Sequence, residues 1–319
     1  MESEEIVRRG ANVITDSVGV RVLDEVALLE VTGDDSRSWL NGQVTNDVRE
    51  TKTGDAVYAL AITVKGRILA DVWAFDRGDD VFWLAVPKES VGPLLESFES
   101  QIIMEDVEVE TREDLAVISV VGPRAPDVVA QSGEGGGTPA DRVHPSDRLG
   151  VGGRDVIVDR AALDTARDGL VEAARSVDGD IVSSASWDLV RLWKMAPRFA
   201  VDFDNRNYPQ EAGLEARAVS FNKGCYLGQE VVCTLESRGK TSKRLVVLTV
   251  DGSSPPEADA DILRRDQDPG EDQSVGRVTS AAFDGDSTFA FGYVKSALAE
   301  AGTQLAIDGR NAEVLAVVK

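Results

Sequence analysis

Apolar residues divide the first 240 or so residues of the chain into alternating strand-like and helical segments. Strand-like runs predict strands at Glu25–Val31, Ala56–Val64, Arg67–Phe75, Val81–Val86, Leu115–Val121 and Arg154–Val158. Helical spacing predicts helices at Lys88–Ile103, Ala162–Val177 and Ser186–Met195, with another after Pro123. Because strands and helices are mixed in this way, we expect α+β sheets with packed helices.

The pattern changes after Lys243. Short strands separated by polar turns are predicted at Leu245–Val250, Gly276–Ala282, Thr288–Val294 and Ala312–Val318. This spacing is typical of a small β-barrel. The glycine-rich stretch Gly133–Pro139 and the acidic stretch Ser253–Ser274 are expected to be exposed loops.

The charge balance is strongly acidic. The chain has 34 Lys and Arg against 56 Asp and Glu, a formal net charge of −22, and its isoelectric point is near 4.4. Such a surface repels phosphate backbones, so a broad nucleic-acid footprint is not expected. The acidic excess is spread along the whole chain. This favours adaptation to a salt-rich cytoplasm, where ions screen the repulsion, over ordinary solubility with an acidic partner surface.

No apolar run approaches the roughly 20 residues that cross a bilayer, and the N-terminus is acidic, so we expect a cytoplasmic protein. Cys225 and Cys233 form neither a disulfide framework nor a CxxC metal knuckle. His144 is the only histidine, and no metal site is expected. Its turn-like surroundings predict a surface-loop histidine.

The segment most informative about chemistry is Ser220–Glu230. A helix is expected after Cys225, whose thiol would lie at the helix entrance beside Lys223. The free N–H groups of a helix start and a lysine charge both favour a reactive thiolate. A buried, inert cysteine that fills a small gap is the alternative interpretation.

The run KGCYLGQE, from Lys223 to Glu230, resembles the K-G-C-x-x-G-Q-E motif of the YgfZ family, a branch of the GcvT-like folate-binding proteins. Other segments resemble that family in the same order along the chain: Leu40–Asp47 (LNGQVTND), Thr63–Asp71 (TVKGRILAD), Pro209–Leu214 (PQEAGL) and Val275–Ser280 (VGRVTS). The resemblance therefore spans nearly the whole chain.

The resemblance implies three lobes around a central channel that accepts tetrahydrofolate. Two are intertwined α+β lobes, expected at residues 1–48 with 115–200 and at 49–114 with 201–242, and the third is a C-terminal β-barrel at 243–319. The YgfZ branch is associated with folate-dependent assembly or repair of iron–sulfur proteins, which would then be client partners. The aminomethyltransferase branch passes a one-carbon unit to tetrahydrofolate.

Two departures from the aminomethyltransferase pattern stand out. Its hairpin carries paired aspartates, whereas here only Asp71 remains. Its R-x-E element supplies a glutamate to the pterin ring, whereas Trp193 stands at that position here. A tryptophan can stack on a flat ring but cannot accept the hydrogen bonds of pterin N–H donors.

The resemblance and the local chemistry together give candidate site residues. Cys225, Asp71 and Lys223 are the candidates for chemistry. The candidates for cofactor binding are Trp193, Arg191, Gln43, Thr45, Asn46, Glu211, Tyr226, Gln229 and Glu230. Structural alternatives stay open: a surface ion pair for Arg191, turn hydrogen bonds for the polar residues at 43–46, and core positions for Tyr226 and Trp193.

Three functions remain open from the sequence. The first is a YgfZ-like, folate-binding accessory protein that uses Cys225. The second is a folate-dependent aminomethyl- or methyltransferase that uses Asp71. The third is a binding module for another carboxylated ligand, with Trp193 as a stacking platform. The basic cluster Arg238–Arg244 could bind RNA, a carboxylated ligand or a protein, although such clusters more often form solvated loops.

Overall fold

The computed structural model describes residues 3–134, 140–239, 241–265 and 274–319. Its helices are α1 Glu4–Asp16, α2 Ser36–Gln43, α3 Val91–Glu99, α4 Ala125–Glu134, α5 Leu163–Arg175, α6 Ser184–Trp193, α7 Pro209–Ala212, α8 Glu215–Ala218 and α9 Gln229–Arg238. Its strands are β1 Gly19–Val22, β2 Val26–Thr32, β3 Ala56–Ile62, β4 Ile68–Gly78, β5 Val81–Pro87, β6 Glu108–Thr111, β7 Leu115–Val121, β8 Val143–Pro145, β9 Gly153–Asp159, β10 Asp180–Ile181, β11 Lys243–Val250, β12 Asp261–Arg264, β13 Ser274–Phe283, β14 Thr288–Lys295, β15 Gln304–Ile307 and β16 Arg310–Val317.

The described residues form two compact units. The α+β unit consists of Asn12–Ser183 and Arg217–Gln229, and it contains two five-stranded sheets with the orders β10-β1-β7-β9-β8 and β3-β4-β5-β2-β6. Each sheet has its own apolar core, because β-branched and aromatic side chains alternate toward the packed helices. The second core includes Leu94 and Phe98 of α3.

The hairpin of β3 and β4 positions the most polar part of the α+β unit. Its turn lies at Lys65-Gly66, where Gly66 has a φ of 73°, a left-handed conformation that glycine adopts without strain. The antiparallel register pairs Tyr58 with Trp73 and Leu60 with Asp71. Because side chains alternate along a strand, these four residues lie on one face of the sheet.

The barrel unit consists of Met1–Ala11, Ser184–Ala216 and Glu230–Lys319. Its strands close in the order β11-β14-β13-β12-β15-β16 around buried aliphatic residues such as Val246, Leu248 and Val294. On the outer face, Leu192 of α6 packs with Leu245 and Phe291. The predicted C-terminal barrel is therefore confirmed.

Most predicted elements occur at the expected places, and the differences are local. The helix expected over Lys88–Ile103 is restricted to α3, because a short 3-10 turn precedes it. Strand β12 lies within the stretch expected to be a loop. Residues 135–139 and 266–273, which belong to the two expected loops, lie outside the described residues.

The lobes expected from the resemblance differ from these units. Strand β2 falls within the first expected lobe, yet it pairs with β5 and β6, which fall within the second. Since the register continues over Val26–Val31 with β5, β2 is an integral strand of the second sheet. The residues from 184 to 216 cluster with the barrel.

Candidate functional site

Asp71 lies on the polar face of the β3–β4 hairpin. It is half-buried, and the Tyr58 hydroxyl donates a hydrogen bond to its Oδ2 over 3.3 Å. The Tyr58 and Trp73 rings are 5.1 Å apart between centroids. Asp71 therefore faces other polar and aromatic groups and does not point only into solvent.

Two arginines complete this face. The Arg148 guanidinium lies 5.2 Å from the Trp73 ring centroid, and the Arg217 guanidinium lies 5.5 Å from that of Tyr58. Both geometries are within the range of cation–π attraction. Arg148 is also paired with the buried carboxylate of Asp155 at 2.6 Å. The face thus combines a carboxylic acid, two aromatic rings and two cations.

A cavity of about 430 Å³ opens on this face. Tyr58 and Trp73 form one wall, Arg217 contributes a cationic group, and the glycine-containing segment Pro145–Arg154 forms the opposite wall. The volume falls within the roughly 300–1,000 Å³ that is usual for small-molecule sites.

Burial raises the pKa of Asp71 to about 6, against the opposing effects of the Arg148 charge and the Tyr58 hydrogen bond. Burial, together with the Asp71 charge, also raises the pKa of Tyr58 well above its ordinary value. Asp71 can therefore change protonation state near neutral pH, while Tyr58 stays a hydrogen-bond donor. Asp71 does not itself line the cavity but is hydrogen-bonded to Tyr58, which does. A titratable acid of shifted pKa beside a cavity is a common feature of functional sites.

Lys223 has a different environment from the one expected beside a reactive thiol. Its side chain is buried, and its ammonium group donates hydrogen bonds to the main-chain oxygens of Asn41, Val44 and Asn46 at 2.6, 2.8 and 2.7 Å. Burial lowers the pKa of Lys223 to about 8. These contacts fasten the motif segment to the end of α2.

Cys225 is exposed and lies in irregular chain before α9, which begins at Gln229. The sequence predicted that the thiol lies at the start of the helix, but the helix begins four residues after Cys225. The thiol is accessible, which excludes the alternative of a buried, inert cysteine. Gly228, with a φ of 76°, brings the motif against the β3–β4 turn: a Cβ there would meet the Thr63 main-chain oxygen at 2.4 Å.

The polar residues after α2 make mostly internal hydrogen bonds. Thr45 is fully buried, donates to the Ala218 main-chain oxygen over 2.6 Å and accepts from the Leu60 N–H over 2.9 Å. The Asn46 amide donates to the Tyr58 main-chain oxygen over 2.9 Å. Gln43 differs, because its buried Oε1 accepts no hydrogen bond from the described residues. Thr45 and Asn46 thus orient the β3 strand that carries Tyr58.

Arg191 and Trp193 belong to the barrel unit. Arg191 is buried and pairs with Asp188 at 2.7 Å and with the fully buried Asp202. Asp202 also accepts hydrogen bonds from the hydroxyls of Thr279 and Ser280, each at 2.7 Å. The structure places Arg191 in an internal ion-pair network, whereas Trp193, at the end of α6, is half-buried.

The remaining candidates occupy varied environments. Glu211 is buried, and its carboxylate accepts a hydrogen bond from the Tyr208 N–H at the start of α7. Tyr226 is buried, with the Lys223 ammonium 5.3 Å from its ring centroid. Gln229 is half-buried and Glu230 is exposed on the first turn of α9. Tyr226 and Gln229, which belong to the α+β unit, do not line the cavity on the Asp71 face.

The expectation of a surface-loop histidine is wrong. His144 is fully buried on β8, its ring is stacked on Phe75 at 4.7 Å, and its Nδ1 lies 3.3 Å from the Gly54 main-chain oxygen. Burial lowers the pKa of His144 to about 4. The residues around His144 predicted a turn, but Val143–Pro145 form a three-residue strand.

Family models match both ends of the chain. Residues 2–141 match the GCVT N-terminal domain, and residues 243–319 match the glycine cleavage T-protein C-terminal barrel domain. Together they span about two thirds of the chain. The chain belongs to the glycine cleavage T-protein superfamily.

Within this superfamily the chain is YgfZ-like. It is 27% identical over 270 residues to the tRNA-modifying protein YgfZ of Vibrio vulnificus (strain CMCP6), covering 80% of this chain and 79% of the relative. The YgfZ protein of Escherichia coli O157:H7 (strain EC4115 / EHEC) is 27% identical over 254 residues, covering 75% and 74%.

A solved structure shows the same fold. The glycine cleavage system aminomethyltransferase T from Bartonella henselae superimposes with a TM-score of 0.84 at 20% identity, over 97% of this chain and 88% of the other. The predicted GcvT-like α+β fold with its C-terminal barrel is confirmed. Among the described helices, none combines the length and apolarity needed to cross a bilayer.

Sequence reasoning identified Asp71 in this superfamily member but missed the residues around it. Tyr58 and Trp73 were assigned only to strands, and Arg148 and Arg217 were not singled out. The hairpin register around Lys65-Gly66 could have placed Tyr58 beside Asp71, because the turn sets which residues pair. The arginines come from distant segments, for which the sequence holds no local signal.

Proposed function

We propose that this protein binds a reduced folate and acts, as a YgfZ-like protein, in the assembly or repair of iron–sulfur proteins. The observation that carries the folate proposal is the placement of Asp71 beside Tyr58 on a face whose cavity has aromatic and cationic walls. The superfamily's association with folate makes this ligand the first to test.

The residues on this face fit the chemical parts of a folate. A carboxylate accepts hydrogen bonds from the N–H groups of a pterin ring, an aromatic ring stacks on its flat surface, and a guanidinium pairs with a glutamyl carboxylate. Asp71, Trp73 and Arg217 would have these three roles. In the aminomethyltransferase pattern a glutamate stands where Trp193 stands here, and a hydrogen bond to such a charged group typically contributes about 1.5–3 kcal/mol.

The iron–sulfur part of the proposal depends on Cys225. Its thiol is exposed, and the motif that carries it is anchored by the three hydrogen bonds of Lys223. The relatives are described as tRNA-modifying proteins. Because a chain of net charge −22 repels RNA, we place the RNA contact on an iron–sulfur client and not on this protein.

The test of folate binding is anaerobic calorimetric titration with tetrahydrofolate in molar KCl. Saturable binding is expected for the wild type, with an affinity at least tenfold lower for Asp71→Asn and Trp73→Ala. Asp164→Asn, which removes an exposed carboxylate on α5, is the matched control and should bind normally. Trp193→Ala reports separately on that residue. Absence of saturation at millimolar ligand would reject folate binding and favour another carboxylated ligand.

The test of Cys225 is separate. A Cys225→Ala protein should fold and bind tetrahydrofolate normally but fail to restore the activity of an iron–sulfur tRNA-modifying enzyme in cells that lack the native protein. Cys233→Ala, at the half-buried second cysteine, is the matched control. Full restoration by Cys225→Ala would remove the thiol from the mechanism.

The titratable carboxyl of Asp71 also favours a second candidate, a folate-dependent aminomethyl- or methyltransferase. A group with a pKa of about 6 can exchange a proton with a reacting amine near neutral pH. This candidate requires folate-dependent turnover of a one-carbon donor, abolished by Asp71→Asn. Turnover that persists in the variant, or none with any aminomethyl or methyl donor, would reject it.

We further propose that the protein works in a salt-rich cytoplasm. The supporting observation is the net charge of −22, which is distributed over the whole chain. Ions at molar concentration reduce the range of repulsion to about 3 Å, and so permit this charge density on a compact fold.

A further inference from the structure

A second cavity, in the barrel unit, shares no lining residue with the cavity on the Asp71 face. It has a volume of about 810 Å³ and lies between the segment Ala200–Asn207 and the ends of β11, β13 and β14. Lys243, from the basic cluster Arg238–Arg244, is one of the lining residues.

Three cationic residues share one face of the barrel in this cavity. Lys243 pairs directly with Lys295 across β11 and β14, and Arg277 pairs with Tyr293 across β13 and β14. Tyr293 and Lys295 are two residues apart on β14, so all four side chains lie on the same face. The Lys243 ammonium lies 4.6 Å from the Tyr293 ring centroid.

The direct pairing of two lysines is unfavourable without a counter-charge. Among the described residues, neither Lys243 nor Lys295 forms an ion pair, although the chain carries 56 acidic residues. Two of the three acids that line the cavity have other partners: Arg191, Thr279 and Ser280 bind Asp202, and Arg206 binds Asp204 at 2.6 Å.

Buried polar atoms in the cavity wall are a second, independent sign of a ligand. Asn207 is only 4% exposed and accepts a hydrogen bond from the Asp204 N–H, but its side-chain Nδ2 donates to none of the described residues. The buried Tyr293 hydroxyl is likewise without a described partner. Buried donors without acceptors are rare, and oxygen atoms of a ligand would satisfy both.

We propose that this cavity binds a small, multiply charged oxyanion through Lys243 and Lys295, with Asn207 and Tyr293 as hydrogen-bond donors. The chemistry that these groups recognise is shared by phosphate and carboxylate groups. Asp202, Asp204 and Asp259 also line the cavity, and the charges of these three carboxylates disfavour long polyanions such as RNA. The site is distinct from the proposed folate site, so each can be tested alone.

The test uses pyrophosphate and citrate as probes, by calorimetry and thermal unfolding of the full chain at low and at molar KCl. At least one probe should bind saturably and raise the unfolding temperature, and the preferred probe identifies the ligand as a phosphate or a polycarboxylate. Lys295→Gln should weaken binding at least tenfold and Asn207→Leu should also weaken it. Lys88→Gln, the same change at an exposed lysine of the α+β unit, should have no effect.

Stability without a probe gives a second readout. Removing one of two facing like charges should leave the free Lys295→Gln protein at least as stable as the wild type at low salt. Lower stability of that variant would show that a carboxylate of this chain already neutralises Lys295, and would overturn the proposal. Equal probe binding by the wild type and by Lys295→Gln would also overturn the proposal. So would the absence of saturation by either probe at about 10 mM, a concentration that detects dissociation constants in the millimolar range.

Discussion

The ammonium group of Lys223 donates a hydrogen bond to the main-chain oxygen of Asn41 over 2.6 Å, although the two residues are 182 positions apart in the sequence. Two further bonds, to Val44 and Asn46, make Lys223 a clamp between the cysteine motif and the end of α2. Lys223, the single lysine of the KGCYLGQE run, thus anchors the motif, whereas Cys225, two residues later, is exposed.

Lys223→Met should destabilise the protein by about 2–4 kcal/mol, because three main-chain carbonyl groups, two of them in buried hydrogen bonds, lose their donor and only part of the loss is recovered by removing a buried charge. The measurement is urea unfolding in molar KCl. Lys65→Met, at an exposed lysine of the β3–β4 turn, should change the free energy of unfolding by less than about 0.5 kcal/mol. Equal stability of the two variants would show that the clamp contributes nothing.

Folate affinity should depend on pH through Asp71. Since its pKa is raised to about 6, the carboxylate that accepts pterin hydrogen bonds is mostly protonated at pH 5 and mostly ionised at pH 7. Affinity should therefore rise between pH 5 and pH 7. Titrations at several pH values test this, and the Asp71→Asn protein should bind weakly with no such rise. A pH profile that survives the substitution would assign the titration to another group.

His144 should make the wild type sensitive to acid. Its pKa is about 4 in the folded protein and 6.5 when exposed, so the unfolded state binds more protons between these values and stability rises with pH across that window. Relative to His144→Phe, whose ring can also stack on Phe75, the wild type should lose roughly 2 kcal/mol between pH 7.5 and pH 5. Urea unfolding at the two pH values measures the difference, and a constant difference would contradict the assignment.

The buried carboxylate of Asp202 should be essential to the barrel unit. Asp202→Asn leaves the Arg191 charge buried without its main partner, which typically costs about 3–5 kcal/mol. Asp188→Asn is the matched control, because Asp188 also pairs with Arg191 but is 31% exposed. Its cost should stay near 1 kcal/mol or less. Similar unfolding curves for the two variants would show that Asp202 is not the dominant partner.

The sequence predicted the features that depend on neighbouring residues, but not those that depend on contacts between distant segments. The β3–β4 hairpin, with Asp71 on it, was predictable because alternation and a turn glycine are local signals. The burial of His144 was not, since it depends on Phe75 of a different sheet. The hydrogen-bond partners of Lys223 could not be predicted for the same reason, because no local sequence pattern indicates a contact between residues 182 positions apart.

Stability should rise steeply with KCl concentration. At 0.1 M salt the Debye length is about 10 Å, so the repulsion among surface carboxylates acts over several neighbours, whereas at 1 M it is about 3 Å. Urea unfolding between 0.1 and 2 M KCl measures the effect. A variant with four exposed glutamates replaced by glutamine (Glu50, Glu96, Glu99 and Glu172) should be more stable than the wild type at 0.1 M and gain less from added salt. If both proteins gain equally, salt acts through general exclusion from the protein surface, and the acidic charge is not what limits stability at low salt.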